Sequence, residues 1–351
     1  MMVIKSIKRY LLVSASLVLS GIFAAGCGVL SGETKIDEGI VIAPKEKIRS
    51  STAMVALDLA EVKRGDRLEI LEQAEVKTPT QTDEWYKVRT TGKDDVTGWI
   101  KARHVINKSV VDKMNDLFEK SKAVPSQGIG RLKVRTPLRV EPGGDLATYL
   151  SRGTSVEIVG KARTTFKPEK QQDDDADEEA TEEPETRTVL WYQVRLAESE
   201  VLRSGWVGAQ QVQLDVPDEI LHLEGEGRRF TGWVVFDQVK NRKGETKNNY
   251  IATMKSLSAE GPIDFTRLWV LVYSPDEGRY TGPYIEDGLR GVMPILLTTK
   301  SGRKGFTINE LDENGKTVAV EYEATRVGPR LIVRRISPKI QIKKQPRRSV
   351  T

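Results

Sequence analysis

The sequence WYKVR at residues 85–89, followed by TGWI at residues 97–100, decides the fold expected for the N-terminal part of the chain. In the first block large apolar residues alternate with polar ones, a pattern typical of a half-buried β-strand. An RGD turn precedes a further strand pattern, LEIL at residues 68–71, and a charged turn separates WYKVR from TGWI. Short strands at close spacing, with turn residues between them, predict a small barrel over residues 40–106.

The same plan recurs further along the chain. WYQVR at residues 191–195 matches WYKVR, SGWV at residues 204–207 matches TGWI, and SRGTSVEIV at residues 151–159 matches KRGDRLEIL at residues 63–71. Three matching blocks in the same order indicate an internal duplication, with a second barrel over residues 130–215.

These blocks are a basic-Gly turn before a VEIL-like strand, then WYKV, then GWV. In that order they resemble the bacterial SH3-like domain family. The resemblance implies two small SH3-like barrels that recognise cell-wall peptides or a partner protein. One feature departs from the family, because its common Asn-Val-Arg opening appears here as KIR at residues 47–49 and as LRV at residues 138–140.

The paired aromatic residues are the candidate ligand-binding residues. Successive residues of a strand point to opposite faces, so one member of each Trp-Tyr pair is expected to fill the barrel and the other to face outward. An exposed ring beside a loop is a platform for a peptide or a sugar. We therefore expect Tyr86 and Tyr192 to bind ligand, with Trp99 and Trp206 in the same grooves. The alternative is that all these rings pack in cores or between domains.

The first 26 residues differ from the rest of the chain. Lys5, Lys8 and Arg9 form a positive head, and residues 11–26 then carry no charge. A membrane-spanning helix needs about 20 apolar residues, so this shorter run predicts a signal peptide rather than an anchor helix.

The run ends in FAAGCG at residues 23–28 and resembles the lipobox of bacterial lipoproteins, although Ala24 replaces the usual Leu. In that family the invariant Cys receives a diacylglyceryl group before cleavage ahead of it. Cys27 is the only cysteine, so no disulfide can form within the chain, and lipidation accounts for the lone thiol. The resemblance implies an anchor on a membrane of the cell envelope, facing the periplasm or the cell exterior, with residues 27–39 as a tether.

Charge and the scarcity of reactive residues restrict the possible functions. Removal of the signal peptide would lower the net charge from +5 to +2, which does not indicate nucleic-acid binding. A papain-like peptidase needs a free Cys and a His, and a zinc amidase needs several ligands on rigid elements. The chain has two histidines, His104 and His222, in different expected domains. We expect no enzyme activity, no metal and no cofactor.

Two segments interrupt the β pattern. In the linker of residues 107–129 a helix is expected at residues 109–122, with Ser109 as N-cap and an apolar stripe that packs against one or both barrels. Residues 167–187 contain ten acidic and three basic residues and almost nothing apolar. This acidic insertion is expected to be a disordered loop between two strands of the second barrel.

The C-terminal region, residues 222–337, is expected to be a third all-β domain followed by a basic, solvated tail at residues 338–351. Its turn residues separate eight candidate strands and predict an up-and-down barrel or a sandwich. The candidate strands are residues 230–236, 249–254, 267–273, 279–285, 292–298, 305–311, 318–322 and 330–335.

The expected molecule is therefore all-β: two SH3-like barrels, one short linker helix and a C-terminal antiparallel domain. Its expected function is that of a lipid-anchored envelope adaptor that binds peptidoglycan peptides or a partner protein. One alternative is a structural subunit that docks through the C-terminal domain, where LWVLVY at residues 268–273 is either a core strand or an exposed edge. The other is a small-ligand carrier that uses the interior of that domain.

Overall fold

The structure is a computed structural model. It describes residues 34–77, 82–92, 95–166, 186–197, 201–225, 227–328 and 330–338. The expected signal peptide, Cys27, most of the acidic insertion and nearly all of the basic tail lie outside these residues. Regular structure in the described part is almost entirely β, which confirms the all-β class. Neither α-helix of the described part is long and apolar enough to cross a bilayer.

The first module is a seven-stranded antiparallel sheet with the strand order β3-β2-β6-β5-β4-β1-β7. Strand β1 begins inside the segment expected to be a tether, because Asp37 already pairs with Ile70. The curled sheet encloses a core that includes Ile48, Leu68 and Val88. The strands are β1 (Asp37–Val41), β2 (Lys45–Arg49), β3 (Asp58–Lys63), β4 (Arg67–Lys77), β5 (Thr82–Thr90), β6 (Thr97–Lys101) and β7 (Val105–Asn107).

The second module has the same topology, with the strand order β10-β9-β13-β12-β11-β8-β14. Strands β11 and β12 flank the acidic insertion, and their last described pair is Phe166 with Arg187. The disorder expected for the insertion stays a prediction. The strands are β8 (Ile129–Leu132), β9 (Thr136–Arg139), β10 (Leu146–Leu150), β11 (Ser155–Phe166), β12 (Arg187–Arg195), β13 (Ser204–Gly208) and β14 (Val212–Leu214).

Two local features explain why the repeated blocks fold alike. Gly65 and Gly153 follow the basic residue of each turn and have φ values of 92° and 83°, a conformation that favours glycine. The next strand then carries a bulge, after Ile70 in the first module and after Ile158 in the second. A bulge bends its strand, so both sheets curl at the same place.

Helix α1 (Lys108–Ser121) connects the modules and contacts both of them. The prediction that Ser109 is the N-cap is wrong: Asn107 holds that position in an extended conformation, and no side chain caps the helix. The apolar stripe packs as expected. Val111 and Met114 are buried in the core of the second module, which also includes Ile106 from the first.

A single antiparallel meander forms the C-terminal domain, with its strands paired in chain order from β15 to β21. The expectation of eight strands is wrong. The candidates at residues 279–285 and 292–298 are one continuous strand, β18. Its first half pairs with β17 and its second half with β19. The strands are β15 (Arg228–Lys240), β16 (Thr246–Ser256), β17 (Phe265–Ser274), β18 (Arg279–Lys300), β19 (Arg303–Leu311), β20 (Thr317–Val327) and β21 (Arg330–Arg335).

The two halves of this meander share one packed core, so the domain is a sandwich folded about β18. Leu268 of β17 and Ile308 of β19 are buried in it, and the rings of Phe306 and Tyr322 stack at 4.7 Å. This packed core argues against a ligand carrier that uses the interior. The residues LWVLVY lie on β17 between β16 and β18, so they are a core strand and not an edge.

The outer face of strands β15–β17 is also covered. Helix α2 (Asp218–Leu221) places Ile220 in a second cluster with Phe230, Trp233 and Tyr250. The sandwich is therefore buried on both faces of its first half.

The sandwich docks on the second module through a buried linker residue and an ion pair. The Gln127 side chain, 1% exposed, donates from Nε2 to the Ile295 carbonyl at 2.9 Å and accepts from the Ile295 amide at 2.7 Å. Arg163 of β11 donates to Asp264 at 2.6 Å. These contacts cover the β11–β12 face of the second module.

Candidate ligand-binding site

The four aromatic residues expected to bind ligand do not share a groove. On the β5–β6 pair Tyr86 lies opposite Ile100, whereas Trp99 lies opposite Lys87. Residues opposite each other lie on the same face and neighbours alternate, so Tyr86 and Trp99 lie on opposite faces of the sheet. The expectation that Trp99 lines the groove of Tyr86 is wrong.

The second module repeats this arrangement. Tyr192 lies opposite Val207, and Trp206 lies opposite Gln193. Tyr192 and Trp206 are therefore also on opposite faces. The same correction applies to the expected groove of the second copy.

In each Trp-Tyr pair the tyrosine lies on the core side of the barrel. Tyr86 packs against the first core beside Val88, and Tyr192 belongs to the second core. The tryptophans take the outer face, yet both are buried. The Lys101 amine lies 5.4 Å from the Trp85 ring, and Trp191 donates from Nε1 to Thr164 at 2.8 Å.

The two tyrosines differ in accessibility. Tyr86 is half-buried and lines a cleft, whereas Tyr192 is 8% exposed. The Lys161 amine lies 5.4 Å from the Tyr192 ring, and burial raises the pKa of Tyr192 to about 12. The expectation that Tyr192 presents its ring to solvent is therefore wrong. Of the two equivalent tyrosines, Tyr86 of the first module is the one that a ligand can reach.

The cleft at Tyr86 has a volume of about 900 Å³ and lies between the two modules. The first module contributes Tyr86 and His104, and the second contributes strand β10 with Tyr149. Tyr149 is 46% exposed, and the Arg135 guanidinium lies 3.8 Å from its ring centre. Two aromatic rings from different modules therefore border one concave surface.

The polar groups of the cleft form a defined electrostatic surface. Lys101 pairs with Asp83 at 3.2 Å. His104 contacts Glu46 through Nδ1 and accepts from Arg103 through Nε2 at 3.2 Å. Burial lowers the pKa of His104 despite the Glu46 carboxylate, so the imidazole is neutral at pH 7.

Three further charges at the cleft have no ion-pair partner among the described residues. Arg103 and Arg135 are exposed cations, and Glu84 is an exposed acid. The surplus of positive charge favours a ligand with carboxylate groups. The aromatic rings add apolar contact area for a peptide or a sugar.

Strand β10 lines the cleft and is an edge strand of its sheet. It is the last strand of its sheet, paired only with β9 in the described part, and Leu146 and Tyr149 on it border the cleft. An exposed edge strand presents main-chain N–H and C=O groups to which an extended peptide can add. Sequence reasoning missed β10, because the repeated blocks do not include LATYL at residues 146–150.

Comparison with known proteins gives a class for the first module. The sequence model of the GW (Gly-Tryp) dipeptide domain matches residues 33–105, which includes the Gly98-Trp99 dipeptide. GW domains are SH3-like, cell-wall-binding domains of bacterial proteins. The first module is thus similar to a known class of wall-binding domain. No match was found among curated proteins.

Among solved structures, similar chains include NlpC2 and NlpC1 from Trichomonas vaginalis. Each is 11% identical to this chain, covers 54% of it and has a TM-score of 0.15. The matched region spans about half of those chains, 51% of NlpC2 and 49% of NlpC1.

Proposed function

We propose that this protein is a non-catalytic, lipid-anchored adaptor of the bacterial cell envelope that binds cell-wall peptides in the cleft between its two SH3-like modules. The observation that carries the proposal is the open cleft at Tyr86 in the module that matches the GW domain, beside the exposed Tyr149 of its neighbour. The equivalent face of the second module contacts the sandwich, so we expect one ligand site in the two modules together.

The chemistry of the cleft favours a peptide that carries carboxylates. Arg103 and Arg135 would bind the carboxylates, and Tyr86 and Tyr149 would contact apolar side chains or sugar rings. The main chain of β10 would pair with an extended backbone. Peptides of the cell wall combine these features, and a segment of a partner protein is the second candidate ligand.

Binding without catalysis is proposed because the described residues that line the cleft include no cysteine or serine and a single histidine. His104 is the histidine at the cleft, and its Nε2 already accepts a hydrogen bond from Arg103. Catalysis by a base would require a ring nitrogen to reach a substrate proton.

Lipid anchoring rests on the lipobox resemblance at Cys27, which lies outside the described residues. Strand β1 begins at Asp37, ten residues after Cys27. An extended chain spans about 3.5 Å per residue, so acylation there would hold the first module within about 35 Å of the bilayer. Mass spectrometry of the native protein tests this part. A chain that begins upstream of Cys27, or lacks fatty acid on it, contradicts it.

Co-sedimentation with purified cell wall tests the binding function. Tyr86→Ala and Tyr149→Ala should each weaken binding roughly 2- to 10-fold, the value of one aromatic contact of about 0.5–1.5 kcal/mol. Ile285→Ala is the matched control for Tyr149, because Ile285 is 47% exposed on the sandwich. Trp99→Ala tests the opposite face. Loss of binding in the Trp99 variant, with full binding in the Tyr86 variant, would overturn the proposed site.

A further inference from the structure

A second cleft, of about 740 Å³, lies at one end of the C-terminal sandwich. Glu219 of helix α2 and His222 directly after the helix form one wall. The β15–β16 turn at residues 241–245 and the β17–β18 turn at residues 275–278 form the other walls. This cleft is on the surface and is separate from the packed core of the sandwich.

Tyrosine side chains lie at this cleft in a fixed arrangement. Tyr273 and Tyr280 are opposite each other on β17 and β18, and their rings meet edge to face at 5.4 Å. The hydroxyl of Tyr280 donates to the Asn248 carbonyl at 2.9 Å, and that of buried Tyr250 donates to Oε1 of Glu219 at 2.8 Å. The rings and the Glu219 carboxylate are thus held in place before a ligand arrives.

Most of the charged residues that line the cleft neutralise each other. The pairs are Arg279 with Glu277 at 2.6 Å, Arg242 with Asp276 at 3.9 Å, and Lys247 with Glu245 at 4.0 Å.

Two lining charges remain, one of each sign. Glu219 is half-buried and Lys243 is exposed, and neither forms an ion pair within the described part of the chain. Glu219 receives a tyrosine hydroxyl at Oε1, and its carboxylate faces the same cleft as the rings of Tyr273 and Tyr280. A carboxylate beside aromatic rings attracts an ammonium group, by charge and by cation–π contact.

We propose that this cleft binds a zwitterionic peptide of about two residues or more, with its free ammonium group against Glu219 and the tyrosine rings and its carboxylate toward Lys243. The volume falls within the range of about 300–1,000 Å³ that is usual for ligand sites, and it exceeds what a single amino acid needs. The inference does not depend on wall binding by the first module, because none of these residues lies at the cleft between the modules.

Calorimetric titration of the full chain with alanyl-alanine, its N-acetyl form and its C-terminal amide tests the proposal. The free dipeptide should bind. Acetylation of its amine should weaken binding by about tenfold or more, because a charge-assisted hydrogen bond contributes about 1.5–3 kcal/mol. Amidation should have a smaller effect, because Lys243 is exposed to solvent.

Variants separate this site from any other. Glu219→Gln keeps an acceptor for Tyr250 but loses the charge, so it should bind the free dipeptide as weakly as the wild type binds the acetylated one. Lys243→Gln should bind the free and amidated forms alike. Glu260→Gln, at an exposed glutamate of the same domain that does not line the cleft, is the matched control and should behave as wild type. Equal affinity for acetylated and free peptide, no effect of Glu219→Gln, or no binding of the free dipeptide at millimolar concentration overturns the proposal.

Discussion

The glycine of each Gly-Trp dipeptide is required by close packing. A Cβ atom on Gly98 would lie 2.6 Å from the Arg49 carbonyl oxygen and 2.6 Å from Cγ2 of Ile48. On Gly205 it would meet Cδ1 of Leu138 at 2.5 Å and Cε of Met114 at 2.7 Å. The tryptophan that follows each glycine points to the other face, so the dipeptide keeps the core side free of a side chain and places a half-buried ring on the outer face.

The two glycines should therefore differ in their tolerance of alanine. Gly98→Ala should lower the free energy of unfolding by about 1–3 kcal/mol, because a backbone oxygen cannot move aside. Gly205→Ala should lower the free energy of unfolding by less, because the side chain of Leu138 and the flexible end of the Met114 side chain can shift. Gly92→Ala is the control, because no atom lies within 4 Å of its added Cβ. Urea denaturation measures all three, and a larger cost at Gly205 than at Gly98 would contradict this account.

At the scale of elements, a charged network connects the last strand of the sandwich to its neighbours. Arg335 of β21 donates from Nη1 to Glu286 of β18 at 2.7 Å and to Glu310 of β19 at 2.8 Å. Tyr322 donates to the same Glu286 carboxylate at 2.9 Å. Arg335 and both glutamates are less than a tenth exposed.

Removal of this guanidinium should destabilise the sandwich strongly. Arg335→Met removes the cation that binds two buried carboxylates, and the loss of one partner from a buried pair costs about 3–5 kcal/mol. Arg334→Met, on the exposed face of the same strand, is the matched control. Thermal and urea unfolding measure the effect. An Arg335→Met protein as stable as the Arg334→Met protein would show that the network does not hold β21.

Most of the elements follow from the sequence, and the exceptions have physical causes. The alternation in WYKVR and the RG turns predict strands and turns that the structure contains. The EDG sequence at residues 286–288 has the composition of a hairpin turn, and Gly288 does adopt a positive φ of 76°. The pairing of β17 and β18 shifts register nearby, so this segment is a bulge within one strand. Turns and bulges use the same residues, and only the pairing of distant strands separates them.

The candidate site was less predictable than the fold. The position of Tyr86 on a strand follows from the sequence, but the exposure of its side chain to solvent does not. Tyr192 occupies the equivalent position and is covered because Arg163 and Gln127 hold the sandwich against that module. Tyr149 comes from outside the repeated blocks. Both differences depend on contacts between domains, which local patterns do not encode.

At the scale of the whole molecule, the contact between the second module and the sandwich should depend on pH. Lys161 lies in this contact with Arg163, Lys255, Asp264 and the Tyr192 ring nearby. Burial lowers the pKa of Lys161 from 10.5 to about 8. Between about pH 8 and pH 10.5 the unfolded chain therefore binds more protons at this residue than the folded chain. The Lys161 contribution to stability rises with pH in this window and is lowest below pH 8.

Lys161→Met should remove this dependence. At pH 7.5 the variant should be more stable than the wild type by roughly 1–3 kcal/mol, and the difference should shrink as the pH rises to 9.5. Lys133→Met, at an exposed lysine, is the control. Urea denaturation at both pH values measures the difference. If the difference in free energy of unfolding between variant and wild type stays constant with pH, the lowered pKa of Lys161 is contradicted.

Hydroxyl-radical footprinting of the protein with and without solubilised cell-wall fragments tests the central claim most directly, because it reports the accessibility of individual rings. Binding in the cleft between the modules predicts that oxidation of Tyr86 and Tyr149 falls together when fragments are added. Trp99, on the opposite face of the first module, should be oxidised at the same rate in both samples. Protection of Trp99 while Tyr86 and Tyr149 stay reactive would contradict the account.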